Sequence, residues 1–179
     1  NIINTYSLED LTKIFQIYGE EKYSFSIAKN IIKARESAPI ETTFQLVDII
    51  KRSKPMKELK KVGHPAKQVF QALRIAVNDE LNVLEKALKA ALKHLKPGGR
   101  LAVITFHSGE DRIVKNIFKD AAISVGNRFD GPMLEQEKDY ILINHKPITA
   151  SESELEFNHR SASAKLRIIA RKERGQQSW

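Results

Sequence analysis

The sequence predicts an α/β fold in which an all-helical segment precedes the later part of a doubly wound sheet. Apolar residues recur at helical spacing through most of residues 1–78. The pattern of residues 79–122 then predicts a helix, a strand and a second helix, the succession found where helices cover a sheet. Two further short apolar runs follow, and three strands are fewer than the roughly five that such a sheet normally needs. We therefore expect a helical domain at 1–78 and an incomplete α/β domain at 79–179.

Composition is that of a soluble globular protein with an anionic partner. Of 179 residues, 41% are hydrophobic and 7% aromatic, and no stretch approaches the roughly 18 consecutive apolar residues of a membrane span. There are no cysteines, which excludes disulfides and thiolate metal sites and fits a cytoplasmic protein. The net charge of +8 and the pI near 9.6 favour a polyanionic partner.

Most of the excess positive charge lies in two segments. The first is residues 51–67, called the basic segment below, and the second is residues 160–174. Such segments suit a phosphate backbone, although a solvated surface is the alternative for each. The candidate phosphate contacts of the basic segment are Lys51, Arg52, Lys57, Lys60 and Lys61.

Three short helices are predicted ahead of the basic segment. Ser7 is the expected N-cap of a helix over residues 8–18, and a second helix covers about residues 24–35. A third begins after Thr42 or Thr43. Helices this short are marginal alone in water, so we expect them to pack on one another or on a neighbour.

Residues 51–63 are expected to form a linker or surface loop, because they are rich in lysine and lack helical periodicity. Gly63-His64-Pro65 opens a fourth helix, and Asn78 or Asp79 caps a fifth that runs to Leu95. Three polar residues of the fourth helix are interpreted as structural links between domains rather than substrate contacts, because a buried polar row is costly unless paired: Gln71, Arg74 and Asn78.

The strand at residues 100–106 leads to the candidate site. Its apolar run lacks strict alternation, which is typical of a strand buried on both faces of a parallel sheet. Ligands bind beyond the carboxyl ends of such strands, where this chain places Phe106, His107 and Ser108. The alternative is that Ser108 only caps the next helix, in a capping box with Asp111, and that His107 is an ordinary loop histidine.

For the rest of the chain, the sequence predicts a helix at 109–122, a loop at 123–139 and strands at 140–143 and 164–170. The last two strands could pair antiparallel across their long connection. Four polar residues near the last strand are candidate contacts to a phosphate or a sugar, with a solvated turn as the alternative: Arg160, Ser161, Ser163 and Lys165.

Several ordered blocks resemble one protein family. They are NTYSLEDL (4–11), YGEEKYSFSIAKNIIKARESAPIETT (18–43), HPAKQVFQALRIAVNDEL (64–81), LKPGGRLAVITFHSGEDRIVK (95–115) and NHRSASAKLR (158–167). Together they cover nearly the whole chain and are similar to the bacterial RsmH family, formerly MraW, which methylates cytosine N4 of 16S ribosomal RNA using S-adenosylmethionine. The family usually has HSLEDR where this chain has Gly109 in the third position, a change that could loosen the loop.

The resemblance implies the C-terminal part of a Rossmann-like class I methyltransferase sheet, preceded by an inserted all-α domain that recognises the substrate. It implies S-adenosylmethionine as cofactor and 16S rRNA or the small ribosomal subunit as partner. It also implies an earlier segment with a glycine-rich cofactor loop, which this sequence lacks. We therefore expect a fragment that is inactive alone, in which an uncovered sheet edge could support self-association.

The resemblance also suggests roles at the candidate site. Phe106 would be a wall or stacking residue, and His107, beside Ser108, would be a hydrogen-bonding group near the target base rather than a required general base. A non-catalytic helical module for RNA binding or assembly is the competing hypothesis. A metal-dependent hydrolase is poorly supported, because the five histidines show no i, i+4 ligand spacing.

Overall fold

A computed structural model describes residues 1–122 and 139–173. The chain divides into two compact units, Asn1–Glu80 and Leu81–Trp179. The loop predicted at 123–139 lies outside the described residues, apart from Asp139. Across the described ranges, the search for a helix long and apolar enough to cross a membrane finds none.

The first unit is helical. Its helices are α1 (Ile2–Thr5), α2 (Leu8–Ile17), α3 (Ser24–Ser37), α4 (Thr43–Arg52), α5 (Met56–Leu59) and α6 (Lys67–Asn78). Two predicted helix starts are confirmed, because the Ser7 hydroxyl accepts a hydrogen bond from the Asp10 amide and Thr42 forms a reciprocal capping box with Gln45. The predicted loop at 51–63 is partly wrong, since α4 continues through Arg52 and α5 follows Pro55.

The core of this unit joins α2, α3, α4 and α6. Their fully buried side chains include Leu11, Phe15, Ile27, Ile31, Ile50 and Val69. Each helix contributes one apolar face, which agrees with the helical spacing of these residues in the sequence. Packing of these faces stabilises helices that are too short to persist separately.

The second unit is a small sheet covered by helices. Its elements are α7 (Glu80–His94), β1 (Arg100–Thr105), α8 (Ser108–Ala122), β2 (Tyr140–Leu142), β3 (Ile148–Thr149), α9 (Glu152–Phe157), a 3₁₀ turn (His159–Ser163) and β4 (Lys165–Arg171). α6 ends at Asn78, and its C-cap residue Asp79 has a left-handed backbone (φ 51°) that separates α6 from α7. Sequence patterns missed β3 and α9, which are both short.

Strand pairing corrects one prediction and confirms another. The described strands have the order β1-β4-β2, with β3 also on β4, and each pairs antiparallel with β4. The expected antiparallel pairing of the last two predicted strands is therefore confirmed. The expectation of parallel pairing around β1 is wrong for these strands, because β4 runs back alongside it.

Burial of β1 also differs from the prediction. Leu101 and Val103 pack with the apolar side chains of α7 and α8, whereas Ile104 on the opposite face is 59% exposed. Side chains alternate between the faces of a strand, so helices on one face bury only every second residue. Ala102 and Ile104 on the second face are apolar but exposed in the described part of the chain, which is why the sequence resembled a strand buried on both faces.

Candidate functional site

The end of β1 and the start of β4 form one edge of the sheet. In the antiparallel register, Thr105 lies opposite Lys165, and the Thr105 hydroxyl donates a 3.4 Å hydrogen bond to the Lys165 carbonyl. The loop after β1 and the 3₁₀ turn before β4 therefore flank the same edge. Two groups of candidate residues that lie more than fifty positions apart in sequence are thus neighbours in the fold.

His107 caps helix α8 with its side chain. Its Nδ1 accepts a 3.3 Å hydrogen bond from the Glu110 amide, and the Glu110 carboxylate accepts from the amides of Phe106 and His107 at 2.8 and 3.3 Å. This is a capping box with histidine in the position usually held by serine or threonine. The predicted cap at Ser108 with Asp111 is wrong by one residue, because α8 already includes Ser108.

The His107 ring is largely occupied by this role. Its Nε2 atom is buried, lies 3.3 Å from Glu110 Oε1, and is not aligned for a hydrogen bond with any described residue. Because Nδ1 accepts a hydrogen bond, the neutral ring carries its proton on Nε2, facing the carboxylate. The geometry makes His107 a positioning residue for the loop after β1.

Phe106 and Ser108 present free groups on either side of His107. The Phe106 side chain is 56% exposed, as are several other aromatic rings of the described chain, but Phe106 directly follows β1 at this edge. The Ser108 hydroxyl makes no hydrogen bond to a described residue. The loop therefore offers a flat apolar surface and a hydroxyl at the sheet edge.

Behind the loop, Asp111 and Arg167 form a buried ion pair. Two parallel hydrogen bonds of 2.7 and 3.0 Å join the guanidinium to the carboxylate, and both residues are 8% exposed. Lys165 adds a second cation 3.7 Å from Asp111. The hydrogen bonds from Arg167, reinforced by the charges of Arg167 and Lys165, hold the pKa of the Asp111 carboxyl below its usual range. This pair fastens the first turn of α8 to β4.

The residues ahead of β4 divide into structural and exposed groups. Ser161 is buried, and its hydroxyl donates a 2.7 Å hydrogen bond to the Asn158 carbonyl, which identifies it as part of the turn rather than a free ligand. Arg160 and Ser163 are exposed, and Lys165 is half-buried beside Asp111.

The basic segment presents most, but not all, of its cations to solvent. Lys61 binds Glu58 at 2.7 Å, and this hydrogen bond lowers the pKa of the Glu58 carboxyl. Lys54 is buried, with its ammonium 2.6 Å from both the Glu21 carboxylate and the Pro65 carbonyl. Exposed members without an ion pair to a described residue are Lys51, Arg52, Lys57, Lys60 and Lys67.

The predicted links between domains make contacts inside the first unit. Gln71 donates to the Tyr18 carbonyl at 3.3 Å, while Arg74 and Asn78 both bind the Glu80 carboxylate. These contacts hold the end of α2 and the Glu80 side chain to helix α6.

Sequence reasoning missed Arg167 as part of the site and did not predict the contacts that Glu110 and Asp111 make there. One signal was available, because Arg167 lies between the apolar residues Leu166 and Ile168 in a predicted strand, and a buried arginine requires an acidic partner. Among the described residues, no group of three or more His, Asp or Glu is placed to hold a metal ion.

Comparison with known proteins identifies the family. Residues 1–172 match the model of the MraW methylase family. The chain belongs to this family. It is 53% identical over 171 residues to the ribosomal RNA small subunit methyltransferase H of Exiguobacterium sibiricum, in a match that covers 94% of this chain and 54% of that protein. The chain thus spans about half the length of this relative, and the family predicted from the sequence blocks is confirmed.

Proposed function

We propose that this chain forms part of an S-adenosylmethionine-dependent methyltransferase that modifies the exocyclic N4 of a cytidine in 16S ribosomal RNA. Family membership and the name of the E. sibiricum relative support the class of reaction. The observation that carries the proposal is the sheet edge, where the Phe106 ring, the Ser108 hydroxyl and the exposed residues ahead of β4 lie together.

The chemistry requires orientation more than acid–base catalysis. The N4 lone pair of cytosine is delocalised into the ring, so an enzyme must align the amino group with the methyl donor and exclude water. The base must first leave its stack, and aromatic side chains stabilise an extruded base. Phe106 provides such a surface, and the His107–Glu110 cap holds the loop that carries it. The amino proton can leave after methyl transfer, so His107 need not act as a base.

The described residues do not build a cradle for the cofactor. S-adenosylmethionine would supply the methyl group, and in open α/β sheets such a cofactor is held beyond the carboxyl ends of the strands, where a glycine-rich turn joins a strand end to a helix start. Gly98 and Gly99 instead lead into β1. We propose that the main cofactor contacts lie outside the described residues, in line with the 54% coverage of the relative.

The exposed cations of the basic segment are proposed to contact the RNA backbone, together with Arg160, Ser163 and Lys165 near the sheet edge. These cations also favour the alternative function, a module that binds RNA or assists assembly without catalysis. Such a module needs no cofactor, so cofactor binding separates the two hypotheses.

The deciding experiment compares this chain with a longer form that also includes the part of the relative that this chain does not span. Calorimetric titration with S-adenosylmethionine should show binding by the longer form only. Mass spectrometry of nucleosides from 16S rRNA treated with the longer form should then show N4-methylcytidine. RNA binding by both forms with cofactor binding by neither would establish the module instead.

A matched pair of variants tests the role of the edge. Phe106→Ala in the longer form should lower the methylation rate by about 5- to 150-fold, since a lost stacking contact is worth about 1–3 kcal/mol. Phe25→Ala is the control, because Phe25 lies in α3 of the other unit and is 58% exposed, much like Phe106. If both variants methylate the RNA at equal rates, Phe106 is not part of the site.

The free edge of β1 is proposed to pair with a second copy when this chain is alone. Among the described strands, β1 has a neighbour on one side only, and an unpaired edge invites strand addition. Light scattering should therefore show a dimer or larger species, and a monodisperse monomer would contradict this proposal.

A further inference from the structure

A second site lies beside the Asp111–Arg167 pair. A pocket of about 230 Å³ opens between helix α8 and the strands β2 and β4. Its lining combines basic and polar side chains with an apolar floor: Lys115, Phe118, Lys119, Leu142, Asn144, His145 and Arg167. None of the described residues that line the pocket is acidic, and three of them carry a positive charge: Lys115, Lys119 and Arg167.

The cations of this pocket are free to bind a ligand. Lys115 and Lys119 lie one helical turn apart on the exposed side of α8, and neither has an ion-pair partner among the described residues. Arg167 uses Nε and Nη2 for Asp111, while Nη1 makes only a long 3.4 Å contact to the His145 carbonyl. Because Lys165 also neutralises Asp111, the charge of Arg167 is not fully cancelled.

The remaining polar side chain shapes the pocket. Asn144 donates to the carbonyls of Lys146 and Leu166 and accepts from the Ile168 amide. With these bonds made, Asn144 fixes the chain after β2 and thereby the position of His145. The rim that carries the His145 ring is therefore pre-organised, which lowers the entropic cost of binding.

We propose that this pocket binds a phosphate group of the RNA substrate. Two lysines, a histidine and an arginine converging without an acid are the side chains that recognise phosphate. The volume is below the roughly 300–1,000 Å³ of sites for drug-sized ligands and suits a phosphate with part of its sugar. The inference rests on the proposed function, since it names a further contact to the same RNA.

The test measures RNA affinity against salt for this chain and two double variants. Lys115→Gln/Lys119→Gln removes the pocket cations. Lys86→Gln/Lys93→Gln is the control, because it removes two exposed lysines of α7 that make no ion pair with a described residue and changes the net charge equally. With a short single-stranded RNA, the pocket variant should bind about tenfold more weakly, with a salt slope smaller by about 0.7 for one lost phosphate contact. The control should keep the wild-type slope.

A second arm identifies the source of the phosphate. Inorganic phosphate, titrated at constant ionic strength, should shift the NMR signals of the His145 ring in wild type and control but not in the pocket variant. The same RNA should produce the same shifts. If inorganic phosphate shifts these signals while the RNA slope is equal in all three proteins, the pocket binds free phosphate and the inference is wrong.

The outcome is separable from that of the proposed function. Methylation by the longer form with no dependence on Lys115 or Lys119 in RNA binding would refute only the pocket. Pocket-dependent RNA binding with no methylation by the longer form would refute only the enzymatic proposal.

Discussion

Replacing Asp111 with asparagine should destabilise the second unit by about 3 kcal/mol. Removing one partner of a buried ion pair typically costs about 3–5 kcal/mol, because the other charge is left without compensation. Here the charge left behind belongs to Arg167, whose side chain is 9% exposed. Asparagine keeps the volume of aspartate and one acceptor oxygen, which places the loss at the lower end of that range.

Urea unfolding followed by circular dichroism measures this loss. With an unfolding slope of about 2 kcal/mol per molar urea, a loss of 3 kcal/mol lowers the midpoint of the second unit by about 1.5 M. Hydrogen exchange read on peptides of α8 and β4 assigns the change to this unit, because exchange reports local opening. Peptides of α2 and α3 serve as the internal reference.

The double variant Asp111→Asn/Arg167→Gln distinguishes an ion pair from general damage. If the cost of the single variant is an unpaired buried cation, removing that cation should restore part of the stability, so the double variant loses less than the two single losses added together. A single-variant loss below about 1 kcal/mol, or strictly additive losses, would refute the reasoning.

Three further predictions concern charge. Folding lowers the pKa of the Asp111 carboxyl. The stabilisation that Asp111 gives the folded state is therefore present above the unfolded pKa of about 3.9 and is lost as pH falls through the lower folded value. In Asp111→Asn, the urea midpoint should therefore fall less steeply as the pH is lowered. Lys54→Met should lower the free energy of unfolding by about 3 kcal/mol, because it leaves the buried Glu21 carboxylate without its partner charge. Adding Glu21→Gln should recover part of that loss. The third perturbation reverses three lysines to glutamate: Lys57, Lys60 and Lys61. It should weaken RNA binding and flatten its salt dependence, and an unchanged slope contradicts the proposed contact.

Local patterns were sufficient for the helices of the first unit. The Ser7 and Thr42 caps could be predicted because the cap, its amide partner and the following apolar face lie within a few residues. α5 escaped prediction because four residues give too little periodicity and none of them is buried.

The sequence predicted where the candidate site lies but not the contacts that hold it together. An apolar strand followed by Phe106 and His107 pointed to the correct edge. The partner of that edge comes from β4, and the Asp111–Arg167 pair joins residues 56 positions apart, a separation at which sequence spacing carries no information. The capping role of His107 was missed because serine and threonine are the usual residues there and Ser108 is adjacent.

The central place of β4 has a consequence for synthesis on the ribosome. All three of the other described strands bond to β4, yet β4 is the last of them in the chain. β1 is therefore made more than fifty residues before β4, its partner among the described strands. The core of the helical unit, by contrast, lies within Asn1–Glu80. We expect the helical unit to fold first on the ribosome and the described strands to join only when β4 emerges.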